Sequence, residues 1–118
     1  MIKKIIYLVT LISITLPIFS QGFNELVKKV AINPQSADKF GFSVDIDGHF
    51  AVVGAPGHAL DMNDANSQFN AGAAFILERD VQGNWNIVQK IINSDRAAYD
   101  NFGASVAIDG HKIVVGAW

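Results

Sequence analysis

Phe40-Gly41-Phe42-Ser43-Val44-Asp45-Ile46-Asp47-Gly48-His49-Phe50-Ala51-Val52-Val53-Gly54-Ala55-Pro56 returns 62 residues later as Phe102-Gly103-Ala104-Ser105-Val106-Ala107-Ile108-Asp109-Gly110-His111-Lys112-Ile113-Val114-Val115-Gly116-Ala117-Trp118. Twelve of the 17 aligned positions are identical and no gap is needed. A fixed period of this size marks an array of supersecondary units, each unable to bury its apolar face alone, so that neighbours must stack. Function in such arrays sits in the loops that vary between units, so the architecture is stated more fully than the ligand.

Working outward from the repeat, short apolar runs alternate with turn residues and no helical period occurs. Phe42, Val44 and Ile46 alternate with Ser43 and Asp45, the period of two expected of a half-buried strand over 42–46. Asp47-Gly48 follows, then the apolar run 50–54. An Asp-Gly pair between apolar runs is a strong hairpin signal, with φ > 0 expected at both central positions. The second copy predicts the same hairpin, 104–108 and 112–116, about Asp109-Gly110. Ala73 to Leu77 and Trp85 to Ile92 supply strands 73–78 and 85–92, joined through a Gly83-containing turn. Leu26 to Ile32 reads as one more strand, the last of a preceding unit. Each unit therefore has four strands, and the long 57–72 loop explains a period above the roughly 40–45 residues of a compact four-stranded propeller repeat.

The residues resemble FG-GAP repeats, the blades of integrin α-subunit-type β-propellers and of many exported bacterial proteins. The motif is carried by Phe40-Gly41 with Gly54-Ala55-Pro56, and by Phe102-Gly103 with Gly116-Ala117. The resemblance implies an all-β chain, a partial β-propeller of about one and a half four-stranded blades, with units starting near 40 and 102. It also implies a wedge role for the Phe, while Gly allows close backbone approach or φ > 0. Integrin-like members carry a calcium loop between Phe-Gly and Gly-Ala-Pro, and calcium takes 6–8 oxygen ligands. Here that segment shrinks to Asp45-Ile46-Asp47-Gly48-His49 and Ala107-Ile108-Asp109-Gly110-His111. The family's calcium role is not carried over to either turn, and no tight calcium site is expected there.

Residues 1–20 read as a secretory signal peptide: Lys3 and Lys4, a 15-residue apolar stretch from Ile5 to Phe19, and small Ser20 before Gln21. The stretch is shorter than the roughly 20 apolar residues of a membrane span and is interrupted by Thr10, Ser13, Thr15 and Pro17. The folded region is then 21–118, exported to the cell surface or the medium, with no stable membrane span after cleavage. Without Lys3 and Lys4 the chain has 7 basic against 11 acidic side chains. No basic cluster remains, so no nucleic-acid partner is expected. Cysteine is absent, which excludes disulfides in a domain of a size that often uses them.

Candidate chemistry is sparse. Asp61, Asn63 and Asp64, in the loop Asp61-Met62-Asn63-Asp64-Ala65-Asn66-Ser67-Gln68, present oxygens at near-alternate spacing and are the metal candidates, for calcium. The loop lacks the Gly and bidentate acid of a helix-flanked calcium loop, and Asn/Asp clusters are ordinary turn material, so a solvated loop is the preferred reading. His49 and His111 sit beside the Asp-Gly turns and read as turn residues; His58 lies just past Gly57. Ser43 and Ser105 recur within strands and read as structural. Phe69, Trp85 and Tyr99 are candidates for a sugar-stacking platform, with packing the preferred alternative. No phosphate loop or paired catalytic carboxylates stand out, so neither an enzyme nor a resident cofactor is expected.

The functional expectation is an exported, non-catalytic binding or adhesion scaffold facing a protein or glycan at the cell surface. The alternatives are a truncated remnant of a larger exported protein and the propeller module of an exported hydrolase. One blade and a half cannot close a ring of roughly 4–8 blades, so instability or self-association is expected of residues 21–118.

Overall fold

The computed structural model describes residues 28–30 and 35–118. The described residues form six strands and no helix: β1 (Ser43–Asp47), β2 (Phe50–Ala55), β3 (Ala73–Arg79), β4 (Trp85–Ile91), β5 (Ser105–Asp109) and β6 (Lys112–Gly116). β1 to β4 make one antiparallel sheet in sequence order, and β5 with β6 makes a second. This is one four-stranded unit followed by the first hairpin of the next, as the repeat predicts. The leader read over 1–20 and most of the strand read over 26–32 lie outside the described residues. Lys28–Val30, which are described, are exposed and in no strand.

Why β2 and β3 read as unbroken apolar runs is clear from their two faces. Ala51, Val53 and Ala55 pack with Ala73, Phe75 and Leu77 on one side, joined by Phe40, Trp85 and Ile87. Val52 and Ala74 point the other way and pack against Ile108, with Phe50, Ile91 and Val106 around them. Strands covered on both faces have no polar side, so alternation disappears. β4 needs an irregularity to serve both sides. Its register passes from Leu77↔Ile87 to Ile76↔Gln89, so Val88 is a bulge residue. Beyond it Lys90 pairs with Phe75 and joins the first face.

Two sequence expectations are corrected. The hairpin centres lie one residue later than read: Asp47 pairs with Phe50 and Asp109 with Lys112, leaving Gly48-His49 and Gly110-His111 as the two-residue turns. Only the glycines have positive φ, 58° in both copies, the φ pattern of a II′ turn rather than I′. The alternation in β1 is present, but its apolar side is not the covered one. Phe42, Val44 and Ile46 are 54%, 65% and 59% exposed, whereas Ser43, Asp45 and Asp47 face the second sheet. In a stack of blades a strand has a neighbour on each side, so a polar face can be an interface too.

Candidate functional site

The seam between the units accounts for the repeated residues. Ser43 Oγ donates to the Gly103 carbonyl at 2.8 Å. Asp45 Oδ2 accepts the Ile108 amide at 2.8 Å, and Asp47 Oδ2 accepts the Gly110 amide at 2.6 Å. Phe102 lies beside Gly72 in an isolated parallel bridge, its amide bonded to the Ala71 carbonyl. The glycines of the motif meet here. A Cβ on Gly54 would stand 1.9 Å from the Gly103 carbonyl oxygen, and one on Gly103 would stand 2.2 Å from that of Ala73. Phe-Gly of one unit thus seats on Gly-Ala of the unit before it. Asp45 and Asp47, the carboxylates of the shortened turn, are therefore engaged with backbone amides of the neighbouring unit.

The metal candidates are held differently. Asp61 Oδ1 accepts the Asn63 and Ala65 amides at 2.8 and 3.0 Å, and Oδ2 accepts Asn66 Nδ2 at 2.6 Å. The same five-residue turn recurs at Asp80, whose Oδ1 accepts the Gln82 and Asn84 amides. In both, the first and fifth residues are joined by a backbone bond and the fourth, Asp64 or Gly83, has positive φ. Two cationic side chains close the loop: Lys90 Nζ lies 2.7 Å from Asp64 Oδ1 and donates to the Asp61 carbonyl. Arg96 donates to the Ala59 and Asn66 carbonyls. Among the described residues no cluster of three or more His, Cys, Asp or Glu side chains has metal-binding geometry. Asn63 contributes its backbone amide to the turn.

The hydrogen bonds from Asn66, then Ala65 and Asn63, hold the Asp61 carboxyl below the ordinary aspartate value of 3.8, with Arg96 adding a smaller pull in the same direction. A depressed value means the carboxylate form supports the turn above 3.8, and that support is lost as pH falls through the lower folded value. Acid titration by NMR should therefore move the Asn63 and Ala65 amide shifts together, with a midpoint below the ordinary aspartate value of 3.8. Movement centred above the ordinary value would show that these bonds do not form.

Two histidines stay in turns, with the His111 ring 6.0 Å from Phe50. His58 is different and belongs to a feature that sequence reasoning missed. It is fully buried, its Nδ1 3.1 Å from Oδ2 of buried Asp38, and its ring meets Phe75 edge-on at 5.6 Å. Asp38 Oδ2 also accepts the Gln35 amide at 3.0 Å, as Asp100 Oδ2 accepts the Ala97 amide at 2.7 Å. Asp38 and Asp100 stand two residues before Phe-Gly in both copies, a signal available in the sequence. Of the three aromatic candidates, Phe69 and Tyr99 come together, rings 5.5 Å apart and 57% and 65% exposed. Trp85 packs on the first core face under Arg79 and takes no part.

An antiparallel four-stranded unit followed by the first hairpin of a second, the two seated face to face through their repeated residues, defines a β-propeller-type repeat module. A family model described as FG-GAP repeat matches residues 23–77 and 85–118. The chain belongs to the FG-GAP repeat family. No curated protein and no solved structure gave a significant match.

Proposed function

We propose that the chain is a non-catalytic binding module of an exported protein, engaging a glycan or protein at the cell surface through its loop rim. The exposed Phe69–Tyr99 pair carries this reading. The two rings stand where the loop after β2 meets the linker after β4, tied by the bond from the Tyr99 amide to the Phe69 carbonyl. Tyr99 has φ +67°, which its counterpart Ala37 does not share. A non-glycine residue in this region costs about 1–2 kcal/mol, and such strain gathers at functional sites. Exposed aromatic side chains are in turn the usual anchors of binding surfaces. The leader-like first 20 residues and the family membership support the exported, scaffold character.

The test is a glycan array together with a panel of extracellular-matrix proteins. Any ligand found should bind Phe69→Ala and Tyr99→Gly at least about tenfold more weakly, a loss of about 1.4 kcal/mol. Tyr99→Gly removes the ring while relieving the backbone, so its melting temperature should not fall. Undiminished binding by the double variant, no ligand on either panel, or turnover of a bound probe would each defeat the reading.

A further inference from the structure

The loop after β2 and the linker after β4 build one composite rim. Residues 69–71 and 99–102 run side by side, with the Tyr99, Asn101 and Phe102 amides donating to the Phe69, Asn70 and Ala71 carbonyls. Arg96 ties the same two segments together, its guanidinium donating to the Asn66 carbonyl at 2.9 Å and to that of Ala59. Both rings of the Phe69–Tyr99 pair therefore stand on backbone that is fixed before a ligand arrives, which lowers the ordering cost of binding. Exposure at position 99 belongs to the repeat and not to one copy. Ala37, the counterpart one period earlier, is exposed too. Yet the loop of its own unit is seated beside it, through the bond from the Gly57 amide to the Asp38 carbonyl.

We infer that this pair takes a neutral oligosaccharide, seated through the C–H face of a pyranose; the inference rests on the rim-binding reading and names its ligand. Shape is the first reason. The rings incline at 68° with centroids 5.5 Å apart, a corner in which one ring lies against the sugar face and the other bounds its edge. Aromatic faces carry the negative end of the ring quadrupole and attract the polarised C–H groups of a sugar. Carboxamides supply the second reason. Gln68 and Asn70 flank Phe69, and Asn101 follows Tyr99, so donors and acceptors suited to hydroxyl groups lie beside both rings in the chain. Charge decides between neutral and anionic sugars. Loop 57–72 and linker 92–104 contain a single Lys or Arg, Arg96, against Asp61, Asp64, Asp95 and Asp100. Arg96 is engaged with the loop carbonyls, so a sialylated or sulfated glycan finds an excess of carboxylate there. Size argues against a protein ligand, which covers about 800 Å² on each partner. Two rings match one sugar residue.

The test presents the full chain with neutral oligosaccharides ending in galactose, glucose or mannose, beside their sialylated and sulfated forms. Fibronectin and collagen make up a separate protein arm. At least one neutral form should bind, and at least about tenfold more tightly than its sialylated or sulfated form. Phe69→Leu, at an exposed position, keeps an apolar side chain without a π face. It should weaken that binding at least about fivefold. Sialylated or sulfated forms bound as tightly as the neutral ones, or full-strength binding by Phe69→Leu, overturns the inference. Fibronectin or collagen held through the pair while every sugar fails also overturns it, and leaves the rim-binding reading standing. No binding in either arm defeats both.

Discussion

Gly103→Ala should lower stability by about 3 kcal/mol and release the second hairpin from the first sheet. Two penalties add. Gly103 has φ +93°, where an L side chain is strained by about 1–2 kcal/mol. The new methyl would also stand 2.2 Å from the Ala73 carbonyl oxygen and 3.0 Å from the Ala55 amide nitrogen. Both are backbone atoms held in the β2–β3 ladder, so the seam must open rather than a side chain turn aside. Overpacking of this kind costs about 1–3 kcal/mol. For a domain this small, about 3 kcal/mol corresponds to a drop in Tm of roughly 12–24 °C.

Gly83→Ala supplies the control. Gly83 has nearly the same φ, +90°, with nothing within 4 Å of the added atom, so it carries the backbone strain without the overlap. Urea melts of the two variants separate the terms. The loss in Gly103→Ala should exceed that in Gly83→Ala by at least about 1 kcal/mol. It should also be accompanied by loss of hydrogen-exchange protection at the Ile108 and Gly110 amides, which bond to Asp45 and Asp47. Equal losses with those amides still protected would mean that the seam is not where the two units are joined.

The strands were legible in the sequence because two independent copies carry the same alternation and the same turn residues. All six observed strands fall within a residue or two of their expected bounds. What failed was the assignment of faces in β1, since in β5 the apolar Val106 and Ile108 side is the covered one. Period two says that Val44 and Ile46 share a side, and hydrophobicity alone then buries that side. Only the neighbouring unit shows that the Ser43–Asp45–Asp47 side is covered, through bonds to residues 60 and 63 positions away. The turn register slipped by one residue because the strand carries on through Asp47, whose side chain has a partner outside its own hairpin. The loop around Asp61 looked like a cation site for the same reason that it binds cations at all: its oxygens converge. The cations are Lys90 and Arg96, on the far side of β3, and no local pattern connects them to the loop. Asp38 was readable, at the same distance before Phe-Gly as Asp100. Its partner His58 was not, since only the folded chain brings residue 38 beside residue 58.

That pair gives the second large expected effect: Asp38→Ala should cost about 3 kcal/mol, well beyond the same change at Asp100. Asp38 Oδ2 serves two donors, the His58 ring at 3.1 Å and the Gln35 amide at 3.0 Å. A carboxylate only accepts hydrogen bonds, so Nδ1 of His58 carries the hydrogen in this contact. Both side chains lie out of water, at 0% and 3% exposure. Removing the carboxylate strands a buried ring N–H, and an unsatisfied buried polar group costs about 1–3 kcal/mol beyond the bond itself. Asp100 is only half-buried and its Oδ2 serves the Ala97 amide, so Asp100→Ala should cost about 1 kcal/mol. The converse change, His58→Phe, keeps a ring beside Phe75 yet leaves the Asp38 carboxylate buried without its partner. Breaking a buried pair from one side in this way costs about 3–5 kcal/mol. Combining His58→Phe with Asp38→Ala removes both polar groups, and the double variant should be more stable than the sum of the single losses requires, by at least about 1 kcal/mol. Chemical denaturation of the four variants measures all of this in one series. Additive losses, or an Asp38→Ala cost no larger than that at Asp100, would show that the contact does not hold the 35–41 segment to the loop after β2.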